Sequence, residues 1–265
     1  MMTEPWTGAF PGFRIFGNLY FVGTVPASTH VVDTGDGLLL FDTGYQQSLY
    51  LVLYNLQKLG LNPDDIRYIL HTHGHIDHFG ATKALQQLTG AKTVIGKPDE
   101  AYANGQLDLS YAKELGMTFT ETFQPDILLQ DGDTLTLGNT TVRCMATPGH
   151  TPGAMSYFFN ATDGEQSCRC GLCGGTGINT MCRQFLDSYG LSYDCRGQFT
   201  DAMDRIAGQP VDIFLGNHMQ HNDTPGKYQR LCAGQKDAFI NPAEWAAYCA
   251  FAKQTLQELI EQENR

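Results

Sequence analysis

Two β-sheets packed together with helices on their outer sides is the fold class that this 265-residue sequence predicts, on three observations. Short β-prone runs separated by Gly, Asn and Asp turns give way to helical patterns, and the same order repeats in the second half. Histidines gather at the ends of three strand-like runs instead of scattering over helix faces. Hydrophobic residues make up 42% and charged residues 17%, so a chain of this length can bury a substantial core. No linker, low-complexity segment or short-period repeat interrupts residues 1–265, which predicts one domain.

The elements follow in order. "FRIF", "NLYFVGT", "STHVVDT" and "GLLLFD" read as strands, with "TGDG" (34–37) as the turn between the last two. "QQSLYLVLYNLQKLG" places apolar residues at helical spacing and stops at Gly60. "NPDD" then offers Asn62 as an N-cap with Pro63 at the first helical position. "IRYIL" is a strand, "GATKALQQLTG" a helix ending near Gly90, and "AKTVIG" the next strand. In the second half, "TLTLG" and "TVRCMAT" form a hairpin, and "AMSYFF" and "CRCGLCGG" form another that turns through "TDGE". A helix near "FTDAMDRIA" precedes the strand "VDIFLGN", and the long amphipathic "NPAEWAAYCAFAKQTLQELIEQENR" closes the chain.

Composition narrows the function. A formal charge of -11 without a basic run argues against nucleic acid, whose phosphates call for a positive footprint. No apolar run approaches the roughly 20 residues that span a bilayer, so no membrane partner is expected. "MMTEPWTGAF" lacks a basic segment followed by an apolar one. As it stands the chain reads as cytoplasmic, or as periplasmic or secreted if the doubled methionine replaces a removed signal. A monomer is expected. In "CRCGLC", Cys168, Cys170 and Cys173 have no second Cys pair nearby, so buried thiols are a better reading than a structural metal site.

"HTHGHIDH" (71–78) holds four of the eight histidines and an aspartate. On a tight turn after a strand, His73 and His75 can converge on one ion while Asp77 and His78 aim at a second, and imidazole with carboxylate suits zinc. "TPGHTPG" carries His150 between Pro and Gly residues that fix its backbone. "GNHMQH" carries His218, with His221 as a competitor. His30 and His71 lie within strand-like runs and read as core histidines or as supports behind the ligands.

"HGHIDH" matches the H-x-H-x-D-H signature of the metallo-β-lactamase superfamily, and "TPGHTPG" sits where that family carries its next histidine. "WTGAFPGFRIFGNLYFVGT", "LGLNPDDIRYILHTHGHIDH" and "KYQRLCAGQKDAFINPAEWAAY" extend the likeness over nearly the whole chain. Together they resemble class B β-lactamases of the third, histidine-rich subclass. The resemblance implies a four-layer αββα sandwich of two mixed sheets, with the site at one edge. It also implies two zinc ions, the first held by His73, His75 and His150 and the second by Asp77, His78 and His218. Asp42 falls where the family keeps a carboxylate that orients a ligand by hydrogen bonding.

Within the superfamily, flavodiiron oxygen reductases carry Glu where His75 stands, which disfavours a redox iron centre. Thioester hydrolases of the glyoxalase II type and related lactonases bridge their metals with an Asp, whereas the corresponding strand here reads "CGLCGGTG". Cys173 lies near the cysteine ligand of other lactamase subclasses, but His78 beside Asp77 makes a thiolate unnecessary.

The implied reaction is β-lactam ring opening by a metal-activated hydroxide, without a covalent intermediate, and antibiotic resistance would follow from it. Asp77 would hold the nucleophile's hydrogen in line. Two zincs, one carboxylate and one hydroxide leave a centre of about +2, which attracts an anionic small molecule. Thr176 and Asn179 are the candidate substrate contacts, with glycines where some relatives place serine. The alternative is a dizinc hydrolase of another ester, lactone or thioester with little β-lactam activity. A zinc-binding module without catalysis fits less well, because structural zinc sites are closed by four protein ligands.

Overall fold

Strands buried on both faces build the molecule, and Leu38–Phe41 shows how. Leu38 and Leu40 join an outer cluster with helix residues Val52, Leu56 and Leu85. Leu39 and Phe41 point the other way, into an inner cluster with Val142, Tyr157 and Phe159. A run with a period of two and both faces covered reads as continuously apolar.

The computed structural model describes residues 4–265. Among them, one sheet has the order β1 (Phe13–Phe16), β2 (Leu19–Phe21), β3 (His30–Asp33), β4 (Leu38–Phe41), β5 (Ile66–Leu70), β6 (Lys92–Gly96) and β7 (Ile127–Leu129). β1 to β4 pair antiparallel, and β4 to β7 pair parallel. The second sheet contains β8 (Thr134–Leu137), β9 (Thr140–Ala146), β10 (Met155–Thr162), β11 (Ser167–Leu172) and β12 (Ile213–Leu215). Its spatial order is β12-β11-β10-β9-β8, antiparallel except for the parallel β11–β12 pair.

The helices are α1 (Leu49–Lys58), α2 (Ile76–Phe79), α3 (Thr82–Thr89), α4 (Glu100–Ala103), α5 (Arg183–Tyr189), α6 (Asp194–Ala207), α7 (Thr224–Cys232) and α8 (Glu244–Glu263). α1 and α3 cover the outer face of the first sheet, while α6 and α8 cover that of the second. Trp245 of α8 lies between Phe158 and Phe214, with ring centroids 5.4 Å from each, and its Nε1–H donates to the Ile206 carbonyl at 2.7 Å. Between the sheets, Phe41 stacks on Phe159 at 5.2 Å and lies tilted against Tyr157 at 5.4 Å. The result is the αββα sandwich of two mixed sheets.

Helix stops fall where the sequence places them. Gly60 and Gly90 adopt positive φ just after α1 and α3. Asn62 accepts from the Asp64 N–H at 3.3 Å, although the element it caps is only the 3₁₀ turn Pro63–Asp65. Besides α2, which falls where the sequence reads as a turn, four elements lack a sequence signal. α4 and β7 are four and three residues long, α5 is seven, and α7 contains a Pro and a Gly that read as helix breakers. In α7 that Pro sits in the first turn, where its missing N–H costs nothing, and Asp223 accepts from the Gly226 N–H at 3.2 Å.

Cys168, Cys170 and Cys173 are buried free thiols on β11 and just after it. No helix among the described residues is long and apolar enough to cross a membrane.

Phe41→Ala would leave a void between the sheets. Urea denaturation is expected to show a loss of about 3–5 kcal/mol.

Candidate metal centre

Four strand ends meet at one edge of the sandwich. β5 ends at Leu70 and delivers residues 71–75, with His75 preceding α2 and Asp77 and His78 within it. β9 leads to His150, β12 leads to His218, and β4 leads to Asp42. His73, His75, His150 and His218 are thus placed just after strands, and His78 is carried by the short helix α2.

His73, His75 and His150 pack edge to face, with ring centroids 4.4–4.8 Å apart, and one ligand atom of each lies within 4.8 Å of the others. His73, Asp77 and His78 form a second such group. His78 Nε2 lies 3.2 Å from Asp77 Oδ2 and 3.3 Å from His218 Nε2, and His218 Nε2 lies 3.5 Å from the same carboxylate oxygen. The structure therefore brings together all six proposed ligands. His221 stands beside His218 with ring centroids 5.2 Å apart and packs against Tyr248.

Hydrogen bonds behind the rings decide where their protons sit. His78 Nδ1 donates to Asp42 Oδ2 at 2.8 Å, His150 Nδ1 to the Gly177 carbonyl at 2.6 Å, and His218 Nδ1 to the Pro26 carbonyl at 2.7 Å. Thr72 donates its N–H and its hydroxyl to the two Asp42 oxygens, each at 2.7 Å. Its hydroxyl proton being committed, the Thr72 oxygen accepts from His73 Nδ1 at 3.0 Å. His73, His150 and His218 thus turn Nε2 towards the cleft, and that of His73 is buried without any hydrogen-bond partner. An orphaned buried acceptor beside other lone pairs fits a cation, and the imidazole–carboxylate donor set fits zinc.

The electrostatics agree. Burial and the neighbouring imidazoles hold His73 and His75 well below the ordinary histidine pKa, hence neutral. Burial opposes charge on His78, but Asp77 and Asp42 outweigh it and push the ring up to about 10. Burial alone would raise Asp77, yet His78, His218 and His75 keep its carboxyl well below the usual range.

Three features escape the sequence reading. Asp99, in "KPDE" after β6, is fully buried and bridges two ligand loops. Its Oδ2 accepts from the Gly74 N–H at 2.7 Å and the Thr151 hydroxyl at 2.6 Å, and its Oδ1 accepts from the Gly153 N–H at 2.7 Å. Burial pushes Asp99 up to about 6 against the pull of those donors. Tyr111 lines the cleft with φ +64, a backbone region uncommon for a non-glycine residue, and its ring lies 5.4 Å from that of His75. Glycines also make room for His150. A Cβ on Gly175 would stand 2.0 Å from the His150 ring, and one on Gly149, at φ +143, would stand 2.5 Å from Phe199.

His73, His75, Asp77, His150 and His218 line a cleft of about 260 Å³ together with Thr176, Asn179, Tyr45 and Asn217. The Thr176 hydroxyl is already paired with Tyr248 at 2.5 Å, which leaves Asn179 the freer of the two candidate substrate contacts. His71 is satisfied away from the cleft, by the Val94 carbonyl at 2.9 Å and Thr82 at 2.8 Å. Cys173 is buried in the cluster beneath α6 and α8 and belongs to neither ligand group.

A family model described as the metallo-beta-lactamase superfamily matches residues 22–163. The chain is similar to the native FEZ-1 metallo-beta-lactamase from Legionella gormanii, with a TM-score of 0.88, 27% identity, and 97% of this chain and 98% of that one covered. It is also similar to BJP-1, a subclass B3 metallo-beta-lactamase of Bradyrhizobium japonicum, with a TM-score of 0.85, 26% identity, and 100% and 98% covered. A probable metallo-hydrolase of Burkholderia pseudomallei is 40% identical over 105 residues, which are 39% of this chain and 35% of that protein. A hydroxyacylglutathione hydrolase of Rhodospirillum rubrum is 25% identical over 154 residues, 57% of this chain and 48% of that protein. Each alignment to these two curated relatives spans less than half of the relative's length.

Asp99→Asn would replace one carboxylate oxygen by an amide N–H that faces the Gly153 N–H, or the Gly74 N–H and the Thr151 hydroxyl, depending on which oxygen is lost. Its zinc affinity, measured by competition with a chromophoric chelator, is expected to fall about tenfold or more. Zinc content by atomic absorption should drop in His218→Ala and hold in His221→Ala.

Proposed function

The chain belongs to the metallo-β-lactamase superfamily, and on that premise we propose that this metal-dependent hydrolase opens β-lactam rings with two zinc ions. One observation carries the reading: one ligand atom each of His73, His75 and His150 lies within 4.8 Å of the others, and Asp77, His78 and His218 meet beside them at 3.2–3.5 Å. Three protein ligands per ion leave a position open for water or substrate, whereas a structural site is closed by four.

His73, His75 and His150 would hold the first ion, and Asp77, His78 and His218 the second. Bound there, zinc supplies water acidic enough to act near neutral pH and a Lewis acid for a carbonyl oxygen. The chain's own groups do the rest. Asp42 fixes the tautomer of His78 directly and that of His73 through Thr72. Asp77, kept ionised by its imidazole neighbours, accepts a hydrogen bond from the attacking water and aligns it. Asn179 and Thr176 line the same cleft and would contact the substrate. No serine or cysteine nucleophile is required.

A second reading keeps the metal centre and changes the substrate to another ester, lactone or thioester. The glycine floor at 174–177 and the engaged Thr176 hydroxyl favour it, as does the likeness to a hydroxyacylglutathione hydrolase. The lack of a carboxylate in "CGLCGGTG" argues the other way.

Purified zinc-loaded protein should open nitrocefin, and chelation with EDTA should abolish the activity. Two zincs per chain with turnover only of lactones or thioesters would select the second reading. Asp77→Asn is expected to lower kcat by about 10²-fold or more.

A further inference from the structure

We propose that the Tyr45 hydroxyl donates a hydrogen bond to the departing heteroatom of the scissile bond, a catalytic role that rests on the hydrolase reading above. Tyr45 lines the cleft together with Asp77 and His218. The turn after β4 brings it there. Asp42 and Gly44, at φ +57 and +73, bend the chain, and the turn is tied to the segment that carries Asp77 and His78. The Thr43 N–H donates to the His78 carbonyl at 2.7 Å, and the Ala81 N–H donates to the Gly44 carbonyl at 3.2 Å. Behind Tyr45, the Ser48 N–H and hydroxyl both donate to its carbonyl, at 3.0 and 2.9 Å. The backbone of Tyr45 is therefore fixed relative to that of Asp77.

The chemistry of the cleft gives the phenol its role. Cleavage of a ring amide or an ester builds negative charge on two atoms, the carbonyl oxygen and the departing nitrogen, oxygen or sulfur. The carbonyl oxygen is the atom that a Lewis acid takes. For the departing atom the chain must supply a neutral donor, because among the described residues no Lys or Arg lines the cleft. The Thr176 hydroxyl is paired with Tyr248, and the side-chain amide of Asn217 is buried in the wall. Asn179, Gln220, His221 and Tyr45 remain, and of these neutral donors the phenol O–H is the most acidic. Among the described residues no protein group engages the Tyr45 hydroxyl, which leaves it free for substrate. Burial and, after it, the Asp77 carboxylate push the phenol well above the ordinary tyrosine pKa, so it stays protonated at neutral pH. The hydrogen bond is shared and not transferred: the departing atom takes its proton from water, and Tyr45 remains un-ionised.

Tyr45→Phe removes the hydroxyl and keeps the ring. Two substrate pairs differ chiefly in how well the departing atom bears charge. Nitrocefin, whose ring nitrogen is conjugated to a dinitrophenyl group, stands against benzylpenicillin, and p-nitrophenyl acetate stands against ethyl acetate. In the zinc-loaded variant, kcat is expected to fall about 10²-fold for benzylpenicillin or ethyl acetate, whichever the wild type accepts, and less than about fivefold for the activated member of that pair. Zinc content by atomic absorption should match that of the wild type. Tyr45→Leu repeats the comparison if the first variant fails to fold, and Tyr45→Gln, which keeps a donor N–H, should recover part of the loss. An equal fall across a pair, an unchanged kcat, or loss of zinc from the folded variant overturns the donor role. Turnover of none of the four substrates by the zinc-loaded wild type overturns the hydrolase reading, and the donor role with it.

Discussion

Packing His73, His75, His78 and His150 ring against ring, with centroids as close as 4.0 Å, sets buried ring nitrogens beside one another. Lone pairs forced together in this way repel, and burying them without partners costs free energy. The surrounding structure resists that repulsion. Asp42 anchors His78 and, through Thr72, His73, while the Gly177 and Pro26 carbonyls anchor His150 and His218. Asp99 ties the backbone of the 73–75 loop to that of the 151–153 loop. The histidines are thereby held in position from behind their rings, and a bound cation would remove the repulsion.

The sandwich makes this possible because strand ends are stiff. Residues flanking a strand buried on both faces inherit its position, so His71 to His75 are placed by β5 and His218 by β12. The inner cluster of Phe41, Tyr157 and Phe159 fixes the two sheets against each other, and with them the distance between their ligand loops. Tyr157 joins the two levels of organisation. Its hydroxyl donates to the His71 carbonyl at 2.6 Å, running from the core to the start of the histidine turn.

Residue type and spacing made part of this legible in the sequence. Alternating apolar strands, glycine stops and histidines at strand ends carry their signal within a few residues, and those elements stand where the pattern puts them. Asp99, Tyr111 and the glycine cradle of His150 carry no such signal. Asp99 is one acidic residue in "KPDE", indistinguishable by sequence from a solvated turn, and only the approach of two distant loops gives it a role. Gly175 reads as the loss of a substrate-gripping side chain, whereas the fold shows a ring lying where a Cβ would be. α7 carries no such signal either, because its Pro and Gly, breakers in a helix interior, sit in its first turn. Thr176 was placed at the cleft, but its partner Tyr248 lies on a helix 72 residues further along the chain.

The central claim is that these donors form two separate three-ligand sites. Anomalous scattering at the zinc edge, from crystals of the zinc-loaded protein, tests it most directly. Two peaks about 3.5–4 Å apart are expected, one bounded by His73, His75 and His150 and the other by Asp77, His78 and His218. A single peak, or a second one ligated by His221 in place of His218, would contradict it.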